Sequence, residues 1–319
     1  MKRGVSAINC LLAVDKPQGP SSHDVVGRVR RALGERRVGH AGTLDPDATG
    51  VLVVGVGQGT RLMGLLTLDE KAYLARVVFG SETTTDDAEG EVTRTAELGD
   101  QLFDEDFARA TVKGLEGELD QVPPAFSAIS VDGRRAYDRA RSGEEVVLAP
   151  RHVTIHEAQL ISVEKGEELA WNIYVHVSKG TYVRSIARDL GRELGSAAHL
   201  DGLRRVSSGS IDIAQCVSLD ELEELGADGI LSRCLDPVAA LGYPFRSLSV
   251  REREDVANGR AIEAGLCVDS SGAVREVKQG ELVSLVADGC LVGVWRRDGS
   301  QLRCKTNFPV GISGVGGCR

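Results

Sequence analysis

Nowhere in this chain of 319 residues is there a run approaching the roughly 20 apolar residues that a membrane-spanning helix needs, which argues against a helical membrane protein. The first residues, Met1-Lys2-Arg3-Gly4-Val5, are basic, but no long apolar stretch or cleavage-like site follows. No signal peptide is therefore expected, and the predicted location is cytoplasmic. The seven cysteines (10, 216, 234, 267, 290, 304 and 318) include no Cys-x-x-Cys pair and show no framework spacing. An odd, scattered set of this kind reads as reduced thiols rather than a disulfide scaffold. A repeating strand-helix-strand unit with a glycine-rich phosphate loop is also missing. The predicted fold is therefore mixed α+β with a largely antiparallel sheet.

An overall excess of positive charge is lacking too, since the net charge is −9. That sum conceals an uneven distribution. Between Glu82 and Gln121 there are 13 acidic and 3 basic side chains, whereas Met1 to Leu62 holds 9 basic and 5 acidic ones. The acid is concentrated in one region, so a basic surface for nucleic acid can coexist with an acidic back. His152 and His156 stand four apart, but Val153, Thr154 and Ile155 favour a strand in which both histidines share an exposed face. No metal is expected there.

The densest signal is Gly39-His40-Ala41-Gly42-Thr43-Leu44-Asp45-Pro46-Asp47-Ala48-Thr49-Gly50, which precedes the apolar run Val51-Leu52-Val53-Val54. Glycine permits positive φ and close backbone approach, and proline pushes the residue before it towards extended geometry. Together they would hold the Asp45 carboxylate at the rim of a sheet in one orientation. The plain alternative is an Asp-Pro turn entering a strand.

The whole string resembles the active-site motif of the TruB family of pseudouridine synthases, and four further segments resemble that family in the same order. These are Asp15-Lys16-Pro17-Gln18-Gly19-Pro20-Ser21-Ser22, Lys71-Ala72-Tyr73, the Thr83/Thr85/Asp87/Gly90 pattern, and Ser178-Lys179-Gly180-Thr181-Tyr182-Val183-Arg184. Asp47 departs from the pattern, standing where the family more often has an apolar residue. The resemblance implies isomerisation of uridine to pseudouridine at position 55, in the T stem-loop of tRNA, with no cofactor. The C1′–N1 bond breaks, the base turns, and its C5 joins C1′. A carboxylate can serve as nucleophile for such work, as it does in glycosidases.

By resemblance Asp45 is that nucleophile and Arg184 pairs with it, where arginine offers a fork that lysine lacks. Tyr73 would lie under the flipped uracil, Tyr182 and Leu203 would wall the pocket, and His40 would fill the gap left by the extruded base. Lys16, Lys179, Arg134 and Arg135 are expected phosphate contacts, the last two within Ser127-Ala128-Ile129-Ser130-Val131-Asp132-Gly133-Arg134-Arg135-Ala136-Tyr137, which resembles the family's substrate-clamping segment. The enzyme is expected to act as a monomer, without an obligatory protein partner and without a membrane. Three other readings compete: a guide-RNA-dependent synthase of the dyskerin type, a non-catalytic RNA-binding or RNA-folding protein, and a glycosidase.

Ser21-Ser22-His23-Asp24 predicts a capped helix with Val25, Val29 and Leu33 on one face. Its Arg28, Arg30 and Arg31 fit either solvent or an RNA backbone. Ser218 with Glu221 predicts a cap for a short helix over 219–225. After about Tyr243 the texture changes to short apolar segments broken by glycine, with Asp288-Gly289 between two apolar runs as a strong hairpin signal and Arg297-Asp298-Gly299-Ser300 as a second. The expected organisation is a catalytic domain over 1–240, a small β-barrel over 243–309 that resembles the RNA-binding PUA domain, and a disordered tail over 310–319.

Overall fold

The computed structural model describes residues 6–67, 70–127, 129–131, 134–142, 144, 146 and 148–314. The chain divides into two compact units, Met1–Asp69 with Ser207–Arg319, and Glu70–Val206.

In the first unit the strands Cys10–Lys16 and Thr49–Val56 pair antiparallel, from Cys10 opposite Val56 to Lys16 opposite Gly50. Val38–Ala41 pairs antiparallel with Thr49–Val56, and Val217–Ser218 pairs parallel with Val14 and Asp15, so the sheet is mixed. Both long strands are apolar at nearly every position because both of their faces are covered. On one face Leu12, Val14, Leu52, Val54 and Val56 meet Val25, Val26, Val29 and Leu33 of the helix Ser22–Leu33. That helix starts at a capping box formed by Ser21 and Asp24 and stops at Gly34, which takes a left-handed φ of 64°. The expected Ser218–Glu221 capping box is also present, at the start of the helix Leu219–Glu224.

On the other face Leu11, Ala13, Val51 and Val53 join a cluster that includes Leu62, Leu241, Val286, Leu291, Phe308 and Ile312. The C-terminal part of the chain therefore shares a core with the N-terminal strands. It forms a seven-stranded sheet curled into a half-barrel, in the order Ile262–Glu263, Gln301–Ile312, Cys290–Asp298, Leu282–Ala287, Phe245–Ser247, Leu266–Val268, Val274–Glu276. Trp295, Val283, Leu285 and Leu302 fill its interior. Both expected hairpins form. Asp288 and Gly289 take φ of 49° and 68° between Leu282–Ala287 and Cys290–Asp298, the positive pair that a two-residue type I′ loop requires.

The expected disordered tail is corrected at its start. The last strand runs on to Ile312, which is fully buried, and Ser313 donates from its amide to the Asn9 carbonyl at 3.0 Å. Burying Ile312 in the shared core orders the backbone that carries it. Residues 315–319 of that tail lie outside the described residues.

In the second unit five strands lie in the order Ala198–Ser208, Lys71–Phe79, Leu169–Val177, Arg151–Lys165, Gly117–Gln121. The last four pair antiparallel throughout. Inward side chains Tyr73, Ala75, Val77, Trp171, Ile173 and Val175 form one cluster with the helices Glu105–Lys113 and Val183–Glu193. The Trp171 indole is satisfied by the Leu102 carbonyl at 3.0 Å. His152 and His156 stand on a strand, on its exposed side. A bulge between Ile155 and Glu157 shifts the inward register from Val153 and Ile155 to Ala158 and Leu160. His156 and His176 each approach a different carboxylate oxygen of Glu70 at 3.2 Å.

Candidate active site

In the first unit, the loop around Asp45 is held by its backbone while the carboxylate is left outward. Leu44 and Ala48 are each only 4% exposed, whereas Asp45, Pro46 and Asp47 between them are exposed. The Ser22 hydroxyl, on the first turn of its helix, donates to the Leu44 carbonyl and accepts from the Leu44 amide, both at 2.9 Å. Gly19 donates to the Pro46 carbonyl at 2.9 Å, and Ala48 donates to the Asp45 carbonyl at 3.2 Å. Gly42, at the head of the loop, takes a φ of 75°, which side-chain-bearing residues seldom adopt. His40 lies half-buried on the strand Val38–Ala41, opposite Val54.

Lys16 is not the phosphate contact expected from sequence. It is fully buried, and its ammonium donates to the carbonyls of Pro17 at 2.9 Å, Pro46 at 2.8 Å and Ala48 at 2.6 Å. An ammonium has three donors, and all are engaged. Burial pushes its pKa down, opposed by the charges of Asp47 and Asp45. Lys16 is thus the brace beneath the Asp45 loop. Lys16→Met should preserve volume but withdraw the ammonium from three carbonyls, of which Pro46 keeps the Gly19 amide, at about 1–3 kcal/mol for each acceptor left unpaired, partly offset by removing a buried charge. The expected net loss in urea unfolding is about 2 kcal/mol; an unchanged midpoint and slope would show that the brace carries no weight.

In the second unit Tyr73, on Lys71–Phe79, is 8% exposed and belongs to the core cluster, with Leu203 packed against the same cluster. Tyr182 is the N-cap residue of the helix Val183–Glu193. The Gln121 carboxamide grips its backbone in both directions, Oε1 accepting from the Tyr182 amide at 2.8 Å and Nε2 donating to the Tyr182 carbonyl at 3.1 Å. Lys179 is exposed in the turn before that helix.

Arg184 is largely buried, its side chain 11% exposed. One terminal nitrogen donates to Asp87 Oδ2 at 3.2 Å and to the Thr85 carbonyl at 3.1 Å; the other donates to the Phe126 carbonyl at 3.1 Å. Asp87 is itself fixed. Its Oδ1 accepts from the Thr85 hydroxyl and from the Glu89 amide, and Thr83 Oγ1 donates to its carbonyl at 2.5 Å. Gly90 closes this turn where any Cβ would collide with Thr85. The Thr-x-Thr-x-Asp-x-x-Gly pattern is therefore a mount for Arg184.

The same helix repeats the device at four-residue spacing. Arg188 meets Asp86 at 2.8 Å and Arg192 meets Glu82 at 2.7 Å. Arg192 and Arg94 beside Glu82 hold its carboxyl at about 2, well below the usual range. The charge count over Glu82–Gln121 gives no sign that Glu82, Asp86 and Asp87 are arginine partners. The i, i+4, i+8 spacing of Arg184, Arg188 and Arg192 was the available signal.

Within the clamp-like segment, Ser130–Val131 pairs with Arg134–Arg135, and Arg134 pairs with Glu144 at 2.9 Å. Ala128, Asp132 and Gly133 lie outside the described residues. On the first helix Arg28 pairs with Glu223 at 3.2 Å and Arg30 donates to the Val38 carbonyl at 2.9 Å.

The chain shares its fold with a chain in the crystal structure of the archaeal box H/ACA sRNP Nop10-Cbf5 complex, at a TM-score of 0.66 and 22% identity over 96% of this chain and 88% of that one. Residues 30–183 match the model of the TruB family pseudouridylate synthase N-terminal domain, and residues 184–241 that of the tRNA pseudouridylate synthase B C-terminal domain. The "tRNA pseudouridine synthase B" of Mycobacterium ulcerans (strain Agy99) is 44% identical over 280 residues, 87% of this chain and 90% of its own. The protein of that name from Thermobifida fusca (strain YX) is 48% identical over 257 residues, 79% and 86% of the two chains. The family models and these relatives define the class, a pseudouridylate synthase. Within that class, the chain belongs to the TruB family.

Proposed function

We propose that this enzyme isomerises uridine to pseudouridine at position 55, in the T loop of tRNA, with Asp45 as nucleophile. The observation that carries the reading is the Asp45 loop: an outward carboxylate between two buried residues, on a backbone held by Ser22, Gly19 and Lys16. Such a group is aimed before substrate arrives, which is what a nucleophile that must add and then leave again requires. In the reaction Asp45 adds to the sugar carbon or the base, or assists departure of the base. C1′–N1 breaks, the uracil turns, and C5 bonds to C1′; C5 gives up its proton and N1 takes one up, so the isomerisation balances with no redox change. In this reading Arg184 is the arginine that partners the reacting carboxylate. Tyr73 stacks under the extruded uracil, Tyr182 and Leu203 wall it, and His40 occupies the gap left in the loop. Lys179, Arg134 and Arg135 hold phosphates.

The test is chemical mapping of pseudouridine in a protein-free T-loop hairpin treated with the purified chain. Conversion of one uridine supports a stand-alone enzyme. Conversion only after a guide RNA or protein is added would favour the dyskerin-type reading, and binding without conversion the non-catalytic one.

The half-barrel, read as the PUA-like module over 243–309, extends the contact beyond the T loop. Arg303 and Lys305 are exposed on its strand Gln301–Ile312, and Arg61 donates to the Asn307 carbonyl of that strand at 2.5 Å. Deleting the module would strip Val286, Leu291 and Phe308 from the core they share with Leu11 and Leu62, so charge reversal is the cleaner probe. Arg303→Glu with Lys305→Glu should weaken binding of full tRNA and flatten log affinity against log salt by about 0.9 for each phosphate no longer neutralised. Conversion of the short hairpin should be unchanged. Full-tRNA affinity and slope equal to those of the unmodified chain would remove the half-barrel from the RNA-binding surface.

A further inference from the structure

The segment after Gln121 is laid along the start of the helix Val183–Glu193 by its carbonyls. The Val122 carbonyl accepts from the Ser185 hydroxyl and from Arg188, both at 2.9 Å, and the Phe126 carbonyl accepts from Arg184 at 3.1 Å. A few residues further on, the chain folds back onto this stretch. The Tyr137 amide donates to the Ser127 carbonyl at 3.0 Å and the Ala136 amide to the Ile129 carbonyl at 2.7 Å. The Tyr137 ring meets the Phe126 ring edge to face, with centroids 6.2 Å apart and planes at 78°. The helix Ala136–Arg141 and the hairpin bearing Arg134 are thus tied to the residue whose carbonyl holds Arg184.

The acceptors on the Arg184 guanidinium differ in how they are supported. Asp87 is fixed by hydrogen bonds within its own turn. The Phe126 carbonyl depends on the clamp-like segment. A guanidinium held at one terminal nitrogen can still tilt, and a second acceptor at the other nitrogen sets its plane. On the same segment the Arg134–Glu144 pair is solvated, with side chains 57% and 38% exposed, so a phosphate can replace Glu144 at little cost.

We propose that Tyr137, through its ring contact with Phe126, is a positioning residue for Arg184: RNA seated on the Arg134 hairpin presses Tyr137 onto Phe126 and fixes the carbonyl that orients the guanidinium. This rests on the function proposed above. It gives the clamp-like segment a part in the chemical step as well as in binding. Tyr137 is 38% exposed, so shortening its side chain opens no large cavity and folding should survive.

The experiment uses the full chain and the T-loop hairpin, measuring the single-turnover rate at saturating protein separately from Kd. Tyr137→Leu and Phe126→Leu should each slow the rate about three- to tenfold, the scale of one aromatic pair, with Kd changed less than about twofold. Tyr137→Phe should restore the rate, because it keeps the ring that meets Phe126. The double variant should be no slower than either single one. An unchanged rate for Tyr137→Leu, a loss confined to Kd, or losses that multiply in the double variant would each overturn the proposal. An inactive unmodified chain would instead overturn the function on which it rests, and that control is read in the same series.

Discussion

Asp45→Asn should leave RNA binding close to that of the unmodified protein and abolish pseudouridine formation, a fall on the order of 10⁴-fold or more in single-turnover rate, as expected when a nucleophile is removed. The replacement keeps size and shape. Several contacts that seat the loop survive the replacement: Ser22 holds Leu44, Gly19 and Lys16 hold Pro46, Lys16 also holds Ala48, and Asp45 contributes its carbonyl to the Ala48 amide. Loss of activity without loss of folding is therefore the expected pattern. An amide nitrogen or oxygen at this position has neither the charge nor the nucleophilicity to bond a sugar carbon and leave again. Chemical mapping of the hairpin, paired with a binding isotherm, measures both halves of the expectation. Appreciable turnover by a sequence-verified variant would sink the assignment of Asp45.

The Asp45 loop was legible in the sequence because its punctuation is local. Glycines, a proline and buried flanking residues act within a dozen positions, and the backbone they impose can be reasoned out without knowing what lies opposite. The Asp288-Gly289 hairpin and the capped helices at Ser21 and Ser218 were legible for the same reason. Lys16 was misread because a lysine beside a loop in an RNA-modifying family invites a phosphate. Nothing local reveals that the carbonyls of Pro46 and Ala48, some thirty residues away, converge on its ammonium. The pairing of Glu82, Asp86 and Asp87 was hidden on similar grounds, their partners lying about a hundred residues further along. A charge count over a segment reports composition and is blind to pairing. Ile312 shows the converse failure, since one apolar side chain among glycines near a terminus gives little sign that a distant core is waiting for it.

Arg184→Lys should lower the single-turnover rate by about 10²–10³-fold while changing RNA affinity by only a few fold. Lysine keeps the charge but has one nitrogen on a flexible stem. It cannot reach Asp87 Oδ2 and the Thr85 carbonyl on one side and the Phe126 carbonyl on the other, as the two terminal nitrogens of Arg184 do. Under the proposed mechanism Arg184 acts through its orientation, and that orientation is what the substitution removes. Asp87→Asn isolates the mount from the arginine. The amide can still accept from Thr85 and the Glu89 backbone, but it no longer offers Arg184 a charge, so a smaller fall of about tenfold is expected. The pair is shielded, with side chains 11% and 17% exposed, so the ordinary weakness of solvated ion pairs does not apply. Under the proposed mechanism the order of rates must be unmodified protein, then Asp87→Asn, then Arg184→Lys, with Kd nearly constant across the series. A parallel decline of Kd and rate would make Arg184 an RNA-binding cation, and undiminished rates in both variants would make the whole Asp87–Arg184 mount structural.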